Sequence, residues 1–259
     1  MLKNRLKKIY RYRRTLWDMA VLQLKAKYAG SRLGIWWAVV TPLILAACVN
    51  FIFSAAFKID IPNYTFFVLS AMVPWIFFVS ALDESLNSFI TGGAVLKQTV
   101  FPRELVPISC ILSNLLNFLI GLLFLLPLFV MLNFGVIKQL GGLILIITLH
   151  FFFVLGLGLL FASMNVFFRD LKHFLSIGFM AWFWITPVFY SLDMLSFPFR
   201  WIALLNPLTY YITAYRQILF AAKPLSWLTI GVSFFLAFGS FVFGYLFFLK
   251  KEAMLLKKI

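Results

Sequence analysis

Chemistry needs acids, bases, nucleophiles or metal ligands in company, and this chain keeps them apart. Its two histidines, His150 and His173, have no acidic or cysteine partner at metal-ligand spacing. Its two cysteines, Cys48 and Cys110, sit in separate apolar runs, where they read as small hydrophobic side chains. No GxxxxGKS or GxxxxGKT stretch is present to cradle nucleotide phosphates, and HExxH, CxxC and GxSxG are missing as well. The expectation is a chain with no catalytic residue, no metal site and no cofactor of its own. Asp83 and Glu84 are the one notable acidic pair, near the end of a long apolar run. They could relay protons, pair with interfacial Lys or Arg, or cap the following segment. Their place near an interface favours the structural roles, because ion-coupled carriers need such groups near the midplane. Any energy for transport must then come from elsewhere.

The elements around these residues belong in lipid. Of 259 residues 63% are hydrophobic and only 12% are charged, too little polar side chain to cover a soluble domain of this size. Backbone groups in hydrocarbon must be satisfied internally, so spans are helices or closed barrels, and these runs are too continuously apolar for a barrel. The expected fold is an all-α integral membrane protein with six transmembrane helices, at about 34–57, 64–84, 105–133, 143–168, 174–190 and 225–249. Residues 1–33 form an amphipathic segment in the membrane interface, with Leu16, Ala20 and Leu24 on one row and Trp17 and Val21 beside it. Asp18 within Leu16–Leu24, and the lack of a small-residue cleavage site before Lys25 and Lys27, argue against a cleavable signal. Residues 191–224 hold apolar runs too short to cross, which fits re-entrant or interfacial helices.

The formal charge of +15 is distributed as flanks rather than as a nucleic-acid surface. Ten of the 23 Lys and Arg residues precede Leu33 and four follow Leu249. With six crossings and the N-terminus inside, eighteen of them fall on the cytoplasmic side against five outside, so both termini are expected in the cytoplasm. No internal repeat is visible, which weighs against inverted-repeat carriers.

Aromatic residues make up 19% of the chain, 33 of them Phe. Trp182, Phe183, Trp184, Phe189 and Tyr190, with Tyr210, Tyr211 and Tyr215 downstream, suit a membrane-interface belt or a surface along which sugar rings slide; composition alone favours the belt. The stretch 85–104 mixes charges with Val95, Leu96, Val100 and Phe101, the pattern of a short cytoplasmic helix that docks into a partner's groove. Arg169 and Asp170, at the cytoplasmic end of the fourth span, read as a structural ion pair.

Four strings in order carry a resemblance: YAGSRLGIWWAVVTPL from Tyr28 to Leu43, VLKQTVFPRELVPI from Val95 to Ile108, FFRDLKHFL from Phe167 to Leu175, and NPLTYYITAYRQILF from Asn206 to Phe220. Each is weakly specific; their order and spacing cover nearly the whole chain. Together they resemble the ABC-2 type transporter permeases, in particular the Wzm-like subunits that export O-antigen and related polysaccharides. The resemblance implies a half-transporter of the bacterial inner membrane that pairs with a second copy and with two separate ATPase subunits, which bind the ATP and Mg. It implies that the 85–104 loop is the coupling element gripped by the ATPase, with Leu96, Lys97, Phe101, Pro102, Arg103 and Glu104 in it. The N-terminal helix would contact the ATPase and the headgroup region, and Arg13, Arg14 and Arg32 would attract the diphosphate of a polyprenyl-linked polysaccharide. Helices at about Leu195–Leu205 and Leu208–Ala221 would close the external mouth, where Trp182, Trp184, Tyr190, Tyr210, Tyr211 and Tyr215 would meet the sugars. Teichoic acid, another lipid or a drug are alternative cargoes, and a non-transporting scaffold is the alternative outside transport.

Overall fold

The computed structural model describes residues 2–56, 61–91 and 102–258, and every regular element among them is helical. Two short helices, α1 (Leu2–Arg11) and α2 (Arg13–Lys27), precede a 3-10 turn at Gly34–Trp36 and the first long helix, α3 (Trp37–Ala56). There follow α4 (Tyr64–Thr91), α5 (Leu105–Leu132), α6 (Leu140–Phe167), α7 (Leu171–Ile185), α8 (Phe199–Leu205), α9 (Pro207–Leu219) and α10 (Trp227–Lys258). Five stretches are long and apolar enough to cross a membrane: Gly34–Phe53, Tyr64–Thr91, Leu105–Leu132, Phe134–Phe167 and Trp227–Glu252.

The expected fifth span, 174–190, is helical only to Ile185. At 15 residues α7 measures about 22 Å, short of a hydrocarbon layer of ~30 Å. Pro187 explains the stop, since it lacks an N–H and pushes Thr186 out of the helical region, to ψ 135°. The chain then runs irregularly through Thr186–Phe189, all buried. Buried non-helical backbone needs partners for its polar groups, and here it has them: the Tyr64 hydroxyl donates to Phe189 O at 2.7 Å, and Arg216 donates to Pro187, Val188 and Tyr190.

Two helices outrun their expected ends. Sequence places the second span's end near residue 84, yet α4 continues to Thr91, because Leu86 and Phe89 bury the helix against the Asn165 and Phe248 level of the bundle. The first part of the expected 85–104 loop is therefore helix. Likewise α10 passes the expected end at 249 and carries Glu252 with it.

The core forms around α4, which packs against α3, α5, α6, α7 and α9. Its polar neighbours fix α2. Ala20 and Leu24 are buried against the bundle rather than turned to lipid, Gln23 donates to Ser109 at 3.0 Å, and Tyr28 bonds Asn117. Lys27 pairs with Glu84 at 2.7 Å and donates to Asn114 at 2.8 Å, while Asn114 donates to the other Glu84 oxygen at 2.6 Å. Glu84 thus takes the structural pairing foreseen for it.

On the far flank α6 and α10 meet backbone to backbone. A Cβ added at Gly244 would lie 1.9 Å from Gly156 O, and one at Gly156 would lie 2.2 Å from Ser240 O. Ser240 also donates to Phe153 O at 2.8 Å. Small residues allow this approach where no hydrophobic force drives helices together. Gly244→Val should cost upwards of ~3 kcal/mol, since backbone rather than a flexible side chain is in the way. Size-exclusion chromatography of the detergent extract should show aggregate for Gly244→Val and a single species for Gly239→Val, where a Cβ meets nothing within 4 Å. A monodisperse Gly244→Val protein would refute the close crossing.

Candidate functional site

Three places hold the residues with functional potential. The first lies where α1 and α10 meet the turn Pro102–Glu104 before α5. Leu96, Lys97 and Phe101 fall outside the described residues; Pro102, Arg103 and Glu104 form the turn that starts α5. Glu104 is 2% exposed, and its Oε2 has no hydrogen-bond partner among the described residues. Arg5 of α1 reaches Glu252 of α10 at 2.5 Å and Glu104 at 4.0 Å, and Arg103 reaches Glu252 at 3.9 Å. Burial pushes the Glu104 carboxyl up from the usual carboxylate range, while the bond to Glu252 raises Arg5. One ionic node therefore ties α1, the turn before α5 and α10. Arg5 and Glu252 were missed from sequence, and no local signal marks them.

Arg13, the first residue of α2, turns back onto α1, with its guanidinium 4.4 Å from the Tyr10 ring and a bond to Tyr10 O. Arg14 and Arg32 are exposed, Arg14 on α2 and Arg32 in the turn beyond it. No ion pair joins Arg169 to Asp170 among the described residues; both are exposed, and adjacent residues in a turn point apart. Asp170 acts through its backbone instead, its carbonyl accepting from His173 and Phe174 at the start of α7.

The second place is the opposite end. Asn206 opens α9 with Pro207 behind it. Its Oδ1 accepts from Trp182 Nε1 at 2.7 Å and Leu208 N at 3.0 Å, and its Nδ2 donates to Thr186 at 2.9 Å. Arg216, 8% exposed and facing no carboxylate among the described residues, spends its guanidinium on three carbonyls at 2.8–3.1 Å and stacks 3.7 Å above the Phe67 ring. Of the aromatic candidates, Tyr211 and Tyr215 are wholly enclosed. The Tyr211 hydroxyl donates to Ser233 O and its ring stacks on His150, which also meets the Tyr215 hydroxyl at 3.4 Å. In the single chain they offer no ring to a passing polymer. Trp182 is half-buried under Asn206, and Tyr210 is half-buried. Tyr190 is half-buried and bonded to Ile185 O, and Trp184 is exposed beside it.

The third place lies along the middle of α4. A furrow runs along α4 between α3 and α7, as two adjoining hollows of about 310 and 460 Å³ that share Trp75, Val79, Ser80 and Phe183. Leu45 and Val49 of α3 flank one, while Ser176, Phe179 and Met180 of α7, with Asp83, line the other. The rows Met72, Ile76, Ser80 and Trp75, Val79, Asp83 recur every four residues, the spacing of one helix face. Sequence reading placed the aromatics of interest on α7 and α9 and overlooked Trp75, which a helical wheel of α4 would have set in line with Asp83.

An all-helical membrane chain with this furrow, and with no nucleotide-binding motif, can be placed among known proteins. It matches the ABC-2 type transporter family over residues 15–220. It is 36% identical over 229 residues to an O-antigen export system permease protein RfbA of Klebsiella pneumoniae, covering 85% of this chain and 86% of that protein. A second Klebsiella pneumoniae protein of that name is 36% identical over 78% of this chain and 80% of its own. The Myxococcus xanthus protein of the same name is 29% identical over 83% of each. The family match extends from the start of α2 to the end of α9, and the chain belongs to the ABC-2 type transporters.

Proposed function

We propose that this chain is the permease half of an ABC exporter that moves lipid-linked, O-antigen-type polysaccharide across the bacterial inner membrane. Near-full-length similarity to O-antigen export permeases carries the reading. The furrow supports it: apolar along Leu45, Val49, Met72 and Ile76 and polar at Ser80 and Asp83, it would close into a conduit if a second copy faced it across α3 and α7. Exposed Ile44 and Leu45 of α3, and Phe174, Ile177 and Trp184 of α7, would form the seam.

In this reading both termini are cytoplasmic, in line with the lysines and arginines at each end. The chain crosses six times, its fifth crossing being α7 completed by the clamped stretch 186–190, and α8 and α9 form the re-entrant pair at the external mouth. Two ATPase subunits bind ATP and Mg and grip the 92–101 connection with its neighbours Pro102, Arg103 and Glu104. The chain itself catalyses nothing. Arg14 and Arg32, exposed on the interface segment, draw the polyprenyl diphosphate, with Arg13 turning from Tyr10 to join them.

The reading requires an ATPase that copurifies with this protein and hydrolyses ATP faster with it. Deleting the gene should leave lipid-linked polysaccharide in the cytoplasm. Accumulation of some other lipid-linked polymer would move the cargo to teichoic acid or another lipid, and the absence of any ATPase partner would leave a scaffold. Replacing Phe101 and Arg103 together by Ala should lower export at least about tenfold while the protein still inserts and ATP is still hydrolysed. Unchanged export in that variant would remove the coupling assignment.

A further inference from the structure

The carboxylate of Asp83 has no evident structural employment. Glu84, beside it, faces α2 and α5 and is matched by Lys27 and Asn114. Asp83 faces the other way, into the furrow, roughly 12 Å along the helix from the end of α4 at Thr91. Its backbone carbonyl accepts from Asn87 at 2.9 Å, but among the described residues no ion pair reaches its side chain. Arg169 and Lys172, the basic residues nearest the furrow on the α7 side, are exposed and make no pair with it. Asp83 is exposed on the wall of the furrow near its interfacial end, and a carboxylate without a partner there offers an acceptor to something polar that passes along it.

What surrounds it defines the chemistry. Ser80 lies one turn before Asp83, and Ser176 lies across on α7, so hydroxyls that donate and accept flank an acid that only accepts. Trp75 and Phe183, with ring centroids 5.2 Å apart, and Phe179 supply apolar faces on the same wall. A sugar ring presents both faces of this match, C–H surfaces to the aromatics and hydroxyl donors to the carboxylate. A polymer bearing carboxylates or phosphates meets repulsion from Asp83 instead.

We infer that Asp83 is a specificity-determining residue of this furrow, which passes a polyhydroxylated chain free of regularly spaced anionic groups and turns away a polyanion. The inference rests on the export reading above and adds the class of polymer. A single acid among hydroxyls suits passage, since it ranks polymers without holding any one sugar in a fixed pose.

The test uses the complete permease–ATPase complex in proteoliposomes with two polymers of equal length on the same polyprenyl diphosphate, one neutral and one with a uronic acid in every repeat. Each preparation reports the ratio of the two transport rates, which cancels differences in yield. The wild-type complex should move the neutral polymer at least about tenfold faster, the effect of a single well-placed charge. Asp83→Glu should keep that preference, Asp83→Asn should narrow it to about threefold or less, and Asp83→Lys should reverse it. Equal rates in the wild type, or a ratio untouched by Asp83→Asn and Asp83→Lys, would overturn the inference and leave the export reading standing. Failure of the wild type to move either polymer with ATP would overturn the export reading itself, and the inference with it.

Discussion

Arg216→Met should leave the stretch 186–190 without its clamp and cost about 3–5 kcal/mol, because a buried charge-assisted set of bonds is lost and its acceptors remain buried. Buried arginines normally face a carboxylate. This one faces three backbone carbonyls and the Phe67 ring, and those carbonyls belong to the turns that Pro187 forces out of the helix. Methionine fills much of the volume but donates nothing, so Pro187, Val188 and Tyr190 each keep an unpaired carbonyl away from water. Thermal unfolding in detergent should show a large drop for Arg216→Met. It should show a partial one for Arg216→Lys, whose ammonium cannot spread over three acceptors as a planar guanidinium does. Tyr64→Phe removes one bond to the same stretch and should cost about 1 kcal/mol. Wild-type unfolding of Arg216→Met would mean that the stretch 186–190 holds its shape without the clamp.

That clamp also explains why part of the fold was hidden in the sequence. The long helices were legible because hydrocarbon demands unbroken apolar runs, and α3, α5 and α6 begin and end within three residues of expectation. α4 and α10 outran their expected ends because polarity was taken to mark the limit of a helix. Asn87, Ser88 and Glu252 are polar, yet each sits on a helix whose other face is still buried. α7 fell short because nothing local says that Thr186–Tyr190 will find Arg216 and Tyr64, which lie tens of residues away or more. For the same reason Tyr211 and Tyr215 looked like ligand-facing aromatics. A tyrosine reads alike whether its hydroxyl meets a sugar or Ser233 O, and only the packing of α9 against α6 and α10 distinguishes the two.

The pairing of Arg5 with Glu252 shows the limit most sharply, since the two residues stand near opposite ends of the chain, and it yields the second large effect. Glu252→Lys would gather three cations, at positions 5, 103 and 252, around the lone Glu104. Because Arg103 and Glu104 end the connection proposed to receive the ATPase stroke, loosening them from α1 and α10 should let ATP turn over without moving the bundle. Export should fall at least about tenfold while hydrolysis persists, so that the ATP spent per polymer exported rises. Lost surface charge alone would not produce that split. A cycle of Arg5→Gln, Glu252→Gln and the double variant separates a shared node from two independent contacts: a shared node makes the double variant no worse than the poorer single one. Additive losses in that cycle, or normal coupling in Glu252→Lys, would mean that the stroke enters the bundle by another route, along α5 from Leu105 itself.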